Sequence, residues 1–323
     1  MKLSIVIPVY NEEETIPHLY HAILAALESF QSGWEVILVD DGSSDHSFQA
    51  LEQIAAKDPE HVRLISLRRN FGQTAAIAAG IDFASGEIVV LMDADLQNDP
   101  ADIPLLVAKI DEGYDVVSGW REKRKDAFIT RTLPSMMANK LISWVTGVHL
   151  HDYGCTLKAY RREVITGFKL YGEMHRFIPV YANSVGARLV EMPVRHHARK
   201  YGKAKYGLER TLKVVLDLFT VKFLSSFANK PIYLFGGTGI VLMIVSSILL
   251  LFLFFRRIIA DIAVSTSPFF TLGVTLFVLG FQSILMGLIA ELLVRTYHEA
   301  QRKPTYTIRT TIGFPKEETQ LDG

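Results

Sequence analysis

Short β-rich runs alternate with helix-period stretches through the N-terminal part of the chain, the pattern of a mostly parallel sheet flanked by helices. The runs Leu3 to Val9, Glu35 to Val39, Val62 to Leu67 and Ile88 to Met92 predict four strands. Between them Thr15 to Phe30, Ser47 to Lys57 and Thr74 to Ala84 carry apolar residues at helical spacing, and Gly86 punctuates the return to a strand. There is no internal repeat and no low-complexity tract.

Further on the pattern changes. From Tyr206 to Phe227, Leu208, Leu212, Val215, Leu216, Phe219 and Phe223 fall on one helical face, while Glu209, Arg210, Lys213 and Asp217 fall elsewhere. That predicts an amphipathic helix at a membrane interface, with packing on a soluble domain as the alternative. Thr130 to Val148 is a second such helix, its apolar cluster being Met136, Met137, Leu141, Trp144 and Val145. Pro231 to Phe255 and Pro268 to Ala290 contain no charged residue. Each exceeds the roughly 20 apolar residues that cross a bilayer as a helix. Two buried core helices are the competing interpretation; two spans joined by Arg256 to Ser267 form a hairpin. Lys213, Lys222 and Lys230 before the first span, and Arg295, Arg302, Lys303 and Arg309 after the second, outnumber Arg256 and Arg257 between them. Both termini are therefore expected in the cytoplasm, with the hairpin in the inner membrane. No cleavable signal peptide is evident at Met1 to Tyr10.

Composition adds little to this picture. With 34 basic and 34 acidic residues, net charge gives no reason to expect nucleic acid as a partner. Cys155 is the only cysteine, which excludes an intrachain disulfide and a cysteine-built zinc site and predicts a buried thiol. No histidine pair has helical ligand spacing with a carboxylate; His196 and His197 are adjacent and would point apart in a strand.

The strongest local chemistry is Asp93-Ala94-Asp95 directly after the fourth strand. Carboxyl ends of strands in open α/β sheets face the ligand crevice, and two carboxylates there can hold a hard cation while leaving positions for diphosphate oxygens. A solvated turn is the bland alternative. Asp40-Asp41-Gly42-Ser43 also ends a strand, and a carboxylate there can accept from a base or ribose. The first strand ends in Pro8-Val9-Tyr10-Asn11-Glu12-Glu13-Glu14, where Asn11 can cap the next helix. Arg131, Ser135 and Asn139 are spaced four and four, a cation, a hydroxyl and an amide on one helical face that suits a lipid phosphate or water. Arg121, Arg199 and Lys205 offer further charge for phosphate.

Ile5-Val6-Ile7-Pro8-Val9-Tyr10-Asn11-Glu12, Val39-Asp40-Asp41-Gly42-Ser43-Ser44-Asp45 and Leu91-Met92-Asp93-Ala94-Asp95-Leu96-Gln97 together resemble the family-2 inverting glycosyltransferases of the GT-A fold. The likeness continues through Arg121, Arg131, Ser135, Asp152-Tyr153-Gly154-Cys155, Arg161-Arg162 and Arg199 to Tyr206 into the paired spans. It is similar there to the polyprenyl-phosphate glycosyltransferases, including dolichyl-phosphate mannose synthases, bactoprenol glucosyltransferases and the undecaprenyl-phosphate aminoarabinose transferase. The resemblance implies a Rossmann-like α/β GT-A domain over residues 1–205, a juxtamembrane amphipathic helix over 206–229, a transmembrane hairpin over 230–295 and a cytoplasmic tail over 296–323. It implies Mg²⁺ or Mn²⁺ on Asp93, Asp95 and Gln97, nucleoside contacts from Pro8, Tyr10, Glu12, Asp40 and Asp41, and acceptor-phosphate contacts from Arg121, Arg131, Ser135, Arg199 and Lys205. Arg199 to Lys205 looks like the segment that covers donor and acceptor phosphates, although Ala204 stands where members often carry serine. Related enzymes also suggest that paired spans associate as homo-oligomers.

The expected reaction takes a hexose, first of all glucose from UDP-glucose, to undecaprenyl or dolichyl phosphate, with mannose, N-acetylglucosamine and aminoarabinose as alternatives. Asp152 is a candidate base or sugar-orienting group, and Met174 to Phe177 a candidate lining of the sugar pocket. Because a phosphate monoester is largely dianionic at neutral pH, its oxygen needs little help from a base. A processive polysaccharide synthase is disfavoured by the lack of a Gln-x-x-Arg-Trp motif, and a nucleotide-dependent kinase or dehydrogenase by Tyr-Asn-Glu-Glu where a glycine loop belongs. A non-enzymatic membrane scaffold on the same fold is the remaining alternative, and both aspartates of the triplet argue against it.

Overall fold

The computed structural model describes residues 2–122, 133–166, 170, 174–198, 232–260, 267–300 and 305–314. They belong to two units, Met1–Val221 with Pro304–Gly323, and Lys222–Lys303.

In the first unit β1 (Leu3–Val9), β2 (Trp34–Asp40), β3 (Val62–Leu67) and β4 (Ile88–Leu91) lie parallel in the order β4-β1-β2-β3. Their crossovers contain α1 (Ile16–Leu27), α2 (Ser47–Lys57) and α3 (Gln73–Phe83). These are the strands and helices that the hydrophobic pattern predicts, with ends shifted slightly. β1 is buried almost throughout because both its faces are covered, so it reads as a continuous apolar run and not as an alternation. α1 buries a single stripe of Ile16, Leu19, Ile23 and Leu27. α3 is buried nearly all round, and its small residues let it approach the sheet closely. A Cβ at Gly80 would lie 2.2 Å from Val6 Cγ1, so only hydrogen fits there.

The remaining elements extend the sheet beyond β4. α4 (Ile103–Asp111), β5 (Val116–Trp120), α5 (Leu133–Thr146), β6 (Lys158–Arg161), the short α6 (Arg162–Ile165), α7 (Ile178–Ser184) and β7 (Leu189–Pro193) follow in the chain. β6 inserts antiparallel between β4 and β5, and β7 pairs parallel with β5. The chain thus builds outward on one side of β1 through β2 and β3 and on the other through β4. A crevice opens at the carboxyl ends of β1 and β4, where that direction switches.

α5 carries its amphipathic pattern the opposite way round from an ordinary core helix. Asn139 and Ser143 are buried, and their side chains donate to the carbonyls of His151 (2.7 Å) and Leu150 (3.4 Å). Met136, Leu141 and Trp144 face outward, Trp144 with 80% of its surface exposed. Asn139, expected in a row that could bind phosphate, instead ties α5 to the loop that carries Asp152.

The residues expected as a tail hold an eighth strand. β8 (Ile308–Ile312) pairs antiparallel with β3 and completes the order β7-β5-β6-β4-β1-β2-β3-β8.

The second unit is a helical hairpin of α8 (Ile232–Ala260) and α9 (Pro268–Ala300). Phe235–Ile259 and Pro268–Ala290 are long and apolar enough to cross a membrane, with mean hydropathy 2.7 and 2.1. Only 17% of the most apolar window of each is buried, which does not fit the core helices of a soluble protein. Small residues bring the two backbones together: a Cβ at Gly239 would lie 2.6 Å from the Gly280 carbonyl oxygen, and the reverse distance is 2.7 Å. Ser246 Oγ donates to the Gly273 carbonyl (2.6 Å) and Ser283 Oγ to that of Phe235 (2.7 Å), so hydroxyls bind across the pair. The amphipathic stretch Tyr206 to Phe227 lies outside the described residues.

Candidate active site

The loops after β1 and β2 are laced together by short polar side chains. Asn11 has a φ of 51°, and its Oδ1 accepts from the Ser44 amide at 2.8 Å. The Glu12 amide donates to Ser47 Oγ (2.8 Å). This left-handed asparagine turns the chain at the strand end, a form that asparagine tolerates better than most residues. Pro8, Tyr10 and Glu12 are half-buried at and just beyond the end of β1.

Asp40 and Asp41 are both buried and both bonded within the protein. Asp40 accepts from the Ser43 amide (3.0 Å) and Ser66 Oγ (3.0 Å). Asp41 accepts from the amides of Phe71 (2.7 Å) and Gly72 (3.0 Å), which anchors the loop leading into α3. Burial pushes its carboxyl up to about 6 against the pull of those amides. Gly42 is required between these loops, since a Cβ there would lie 2.4 Å from the backbone carbon of Arg69.

Asp93 follows β4, where its carboxylate is gripped from two distant elements. Oδ1 accepts from Gln73 Nε2 at the start of α3 (2.6 Å), and Oδ2 accepts from Thr156 Oγ1 (2.7 Å). Thr156 is itself oriented by Asn98 Nδ2 (3.1 Å). Burial, and then the charge of Asp95, push the Asp93 carboxyl up to about 6. Leu96 has a φ of 57°, so the chain doubles back and the Gln97 amide donates to Asp95 Oδ1 (3.1 Å). A bulky residue held in that region stores strain of order 1–3 kcal/mol, which is typical of functional turns.

Two neighbouring carboxylates, one of them destabilised by the other's charge, are a donor set that suits a hard divalent cation. Mg²⁺ in particular is commonly held by one or two carboxylates plus substrate phosphates, so no larger protein cage is needed. No cluster of three or more histidine, cysteine or acidic ligands occurs among the described residues. The triplet fits a cation that the substrate helps to bind.

Across from the triplet Asp152 is almost fully buried and bound bidentately by Arg121, Nε to Oδ2 at 2.7 Å and Nη2 to Oδ1 at 3.0 Å. The Gly154 amide also donates to Oδ1 (3.1 Å). A Cβ at Gly154 would meet Arg121 Nη2 at 3.2 Å, Asp152 Oδ1 at 3.5 Å and Arg176 Nη1 at 3.9 Å, so these three side chains converge on one point. The charges of Arg121 and Arg176 both act on Asp93. The Met174 to Phe177 segment is thus brought to the site, with His175 held against Thr74 Oγ1 of α3 (2.7 Å).

The loop from His151 to Thr156 is fixed from below and from the side. Lys158 is buried, and its ammonium donates to the carbonyl oxygens of Cys155 and Tyr153, the latter at 3.3 Å. Burial depresses its pKa. Glu191 of β7 accepts from the His151 amide (2.8 Å) and lies 2.8 Å from His151 Nδ1, while His151 stacks on Trp120 at 4.4 Å. Cys155 is buried, as expected, and its thiol is pushed up to about 11 by burial. His196 is not in a strand: it forms an isolated bridge with Asn98, and His197 lies 3.1 Å from Asp99.

Of the residues singled out from sequence, Ser135 is half-buried on α5. Arg131, Arg199 and Lys205 lie outside the described residues. Gln73, Thr156, Lys158 and Glu191 act from positions that no local motif connects to the aspartates, and Asn98, which directly follows Gln97, acts only through Thr156.

The family profile described as "Glycosyl transferase family 2" matches residues 4–168, which include all three strand-end motifs. The chain belongs to glycosyltransferase family 2. This family-2 enzyme is 43% identical over 312 residues to the dodecaprenyl-phosphate galacturonate synthase of Rhizobium johnstonii, covering 96% of this chain and 92% of that one. It is 39% identical over 316 residues to the undecaprenyl-phosphate 4-deoxy-4-formamido-L-arabinose transferase of Proteus mirabilis, covering 98% and 95%. Its fold is also that of glucosyl-3-phosphoglycerate synthase from Mycobacterium tuberculosis, solved with Mn²⁺, UDP and phosphoglyceric acid. That likeness has a TM-score of 0.53 at 19% identity, over 69% of this chain and 78% of the other. The same enzyme with Mg²⁺ and UDP gives 0.52 at 19% identity, over 69% and 79%.

Proposed function

We propose that this glycosyltransferase moves a sugar from a uridine-diphosphate donor to the phosphate of a polyprenyl phosphate, with inversion at the anomeric carbon. The observation that carries the reading is the Asp93–Asp95 pair at the end of β4, in a chain similar from end to end to two polyprenyl-phosphate sugar transferases. Asp93 and Asp95, with Gln97 beside them, would hold Mg²⁺ or Mn²⁺, which would supply charge neutralisation for the departing diphosphate. Gln73 and Thr156 fix the Asp93 carboxylate for that task, and Arg121 and Arg176 add positive charge where phosphates gather.

Asp152 acts by positioning and takes no proton. Both of its oxygens are occupied by Arg121 and the Gly154 amide, and an acceptor phosphate with a second pKa near 6 arrives already anionic. Arg121, aimed by Asp152, with Arg131, Ser135, Arg199 and Lys205, forms the acceptor-phosphate set. Pro8, Tyr10, Glu12, Asp40 and Asp41 form the nucleoside set, in which Asp41 shapes the loop before α3.

For the sugar, glucose finds no support in the two relatives, whose names give galacturonate and 4-deoxy-4-formamido-L-arabinose. We place a uronic acid first, since Arg176 beside the triplet offers a cation to a sugar carboxylate. The test presents UDP-linked uronic acids, formamido and amino pentoses and hexoses to the purified enzyme with undecaprenyl phosphate and Mn²⁺. Mass measurement of the lipid then identifies the product. A uronosyl lipid is expected; a hexosyl lipid alone would overturn the sugar, and no lipid product from any donor would overturn the reaction.

α8 and α9 anchor the enzyme in the cytoplasmic membrane with both termini in the cytoplasm. That topology suits the chain path, because the sheet receives strands from before and after the hairpin, which calls for an even number of crossings. The outward face of α5 then lies against headgroups, where tryptophan is favoured. Trp144→Glu is expected to raise the apparent KM for lipid phosphate about tenfold, the loss of part of one buried aromatic side chain. The KM for donor should stay unchanged; steady-state kinetics in bilayer nanodiscs with equal KM values for mutant and parent would remove α5 from the membrane.

A further inference from the structure

β8 reaches the sheet only after the chain has passed through α8 and α9, and it does not pair regularly. Leu64, Ile65 and Ser66 face Ile312, Thr311 and Thr310, but Leu67 faces Ile308, so Arg309 is the extra residue of a β-bulge. A bulge re-aims one side chain, and such irregularities gather beside active sites. Arg309 is exposed and lines a cavity of about 380 Å³ together with Asp40, Ser43, Phe48 and Arg68. That volume falls in the range of small-molecule sites, roughly 300–1,000 Å³.

The segment around Arg309 is held by contacts that do not involve its guanidinium. The Arg68 amide donates to the Thr307 carbonyl (2.9 Å), buried Tyr306 donates from its hydroxyl to Asp82 Oδ2 (2.7 Å), and Phe314 meets Phe83 edge-on at 5.0 Å. Among the described residues, none of these contacts draws on the Arg309 side chain.

We infer that Arg309 binds the nucleoside end of the donor, so that the strand following the membrane hairpin completes the nucleotide site. This rests on the reading of Asp40 as a nucleoside residue. The cavity's chemistry favours that end of the molecule: Asp40, Asp45 and Glu52 outnumber Arg68 and Arg309 on its lining, which gives a diphosphate no net attraction, whereas a uridine brings an N–H and ribose hydroxyls that suit carboxylates. Its two pyrimidine carbonyls are acceptors for the fork of N–H donors on a guanidinium. Donor binding thereby depends on a segment that lies beyond both candidate spans in the chain.

The test compares the full-length enzyme with Arg309→Ala and Arg309→Lys in nanodiscs. Titration calorimetry with uridine monophosphate and with pyrophosphate, and steady-state kinetics for donor and lipid, are the readouts. For Arg309→Ala a loss of about tenfold in affinity for uridine monophosphate is expected, the scale of one bidentate base contact. A matching rise in donor KM should accompany it, with unchanged pyrophosphate affinity, lipid KM and melting temperature, and with partial recovery in Arg309→Lys. Parental affinity for uridine monophosphate in the alanine variant would overturn the inference, as would equal losses for both ligands. A parent enzyme that transfers no sugar would instead overturn the proposed reaction.

Discussion

Asp93→Asn is expected to lower sugar transfer by about a thousandfold, the upper range for deleting one group that stabilises developing charge, while the chain remains folded. The amide keeps the shape of the carboxylate. Thr156 can turn its hydroxyl to accept, and Gln73 still finds an oxygen, so the loop stays in place. What disappears is the negative charge. Stability of the metal-free protein should move in the opposite direction from activity. The Asp93 carboxyl titrates near 6 in the folded chain, above its ordinary 3.8, because burial and Asp95 disfavour its charge. A group raised in this way contributes stability that is present below about pH 4 and lost as pH climbs through 6. Removing its charge should therefore leave the metal-free variant more stable than the parent at pH 7.5 and closer to it at pH 4.5. Melting curves in chelator at the two pH values, with turnover in Mn²⁺, measure both effects. Near-parental turnover would sink the role of the triplet, and a variant destabilised at pH 7.5 would sink the electrostatic account of Asp93.

The second large effect concerns Arg121. Asp152 is 1% exposed, and the guanidinium of Arg121, itself 18% exposed, provides its countercharge through two hydrogen bonds. Arg121→Ala removes that guanidinium and both of its bonds, while the backbone amides of Gly154 (3.1 Å) and of residue 121 (3.4 Å) still donate to the carboxylate. Breaking a buried pair from one side costs about 3–5 kcal/mol, mostly the burden of the unpaired charge. The variant should also lose transfer, since the proposed acceptor site loses the cation that Asp152 aims. Arg121→Ala combined with Asp152→Asn separates the two consequences: stability should return in large part, because the carboxylate that lost its guanidinium is now neutral, while activity should not. Denaturant or thermal unfolding of the first unit, set beside turnover, tests this. If Arg121→Ala costs less than about 1 kcal/mol, the range of a surface ion pair, the bidentate pair is not what holds the loop. If the double substitution restores transfer, Arg121 has no part in acceptor binding.

The residues that hold the site differ sharply in how far they could be read in advance. Asp93 and Asp95 stood out because they directly follow the run Ile88 to Met92, and an apolar strand with acids at its carboxyl end is a local pattern. The orientation of the Asp93 carboxylate depends on Gln73, 20 positions earlier, and Thr156, 63 positions later, and nothing in the composition of either segment reveals that pairing. Asn139 illustrates the opposite error. Its spacing from Arg131 and Ser135 suggests a shared phosphate row, yet its buried amide donates to the carbonyl of His151, because a buried polar side chain needs a partner within the protein. β5, β6 and β7 carry no strong signal of their own. β6 is the four-residue strand Lys158–Arg161, and its place between β4 and β5 comes from pairing with strands already formed.

The chain by itself determined the strands and helices of the first half, the two apolar helices and the position of the acidic triplet. Each of these follows from neighbouring residues through the period of side-chain burial or the spacing of charges. The tertiary structure alone decided which carboxylate oxygens are occupied, that Asp152 is locked to Arg121, and that Ile308–Ile312 returns to pair with β3. Those outcomes depend on hydrogen bonds between segments far apart in sequence, and backbone or side-chain donors in one segment carry no mark of the acceptor they will meet in another.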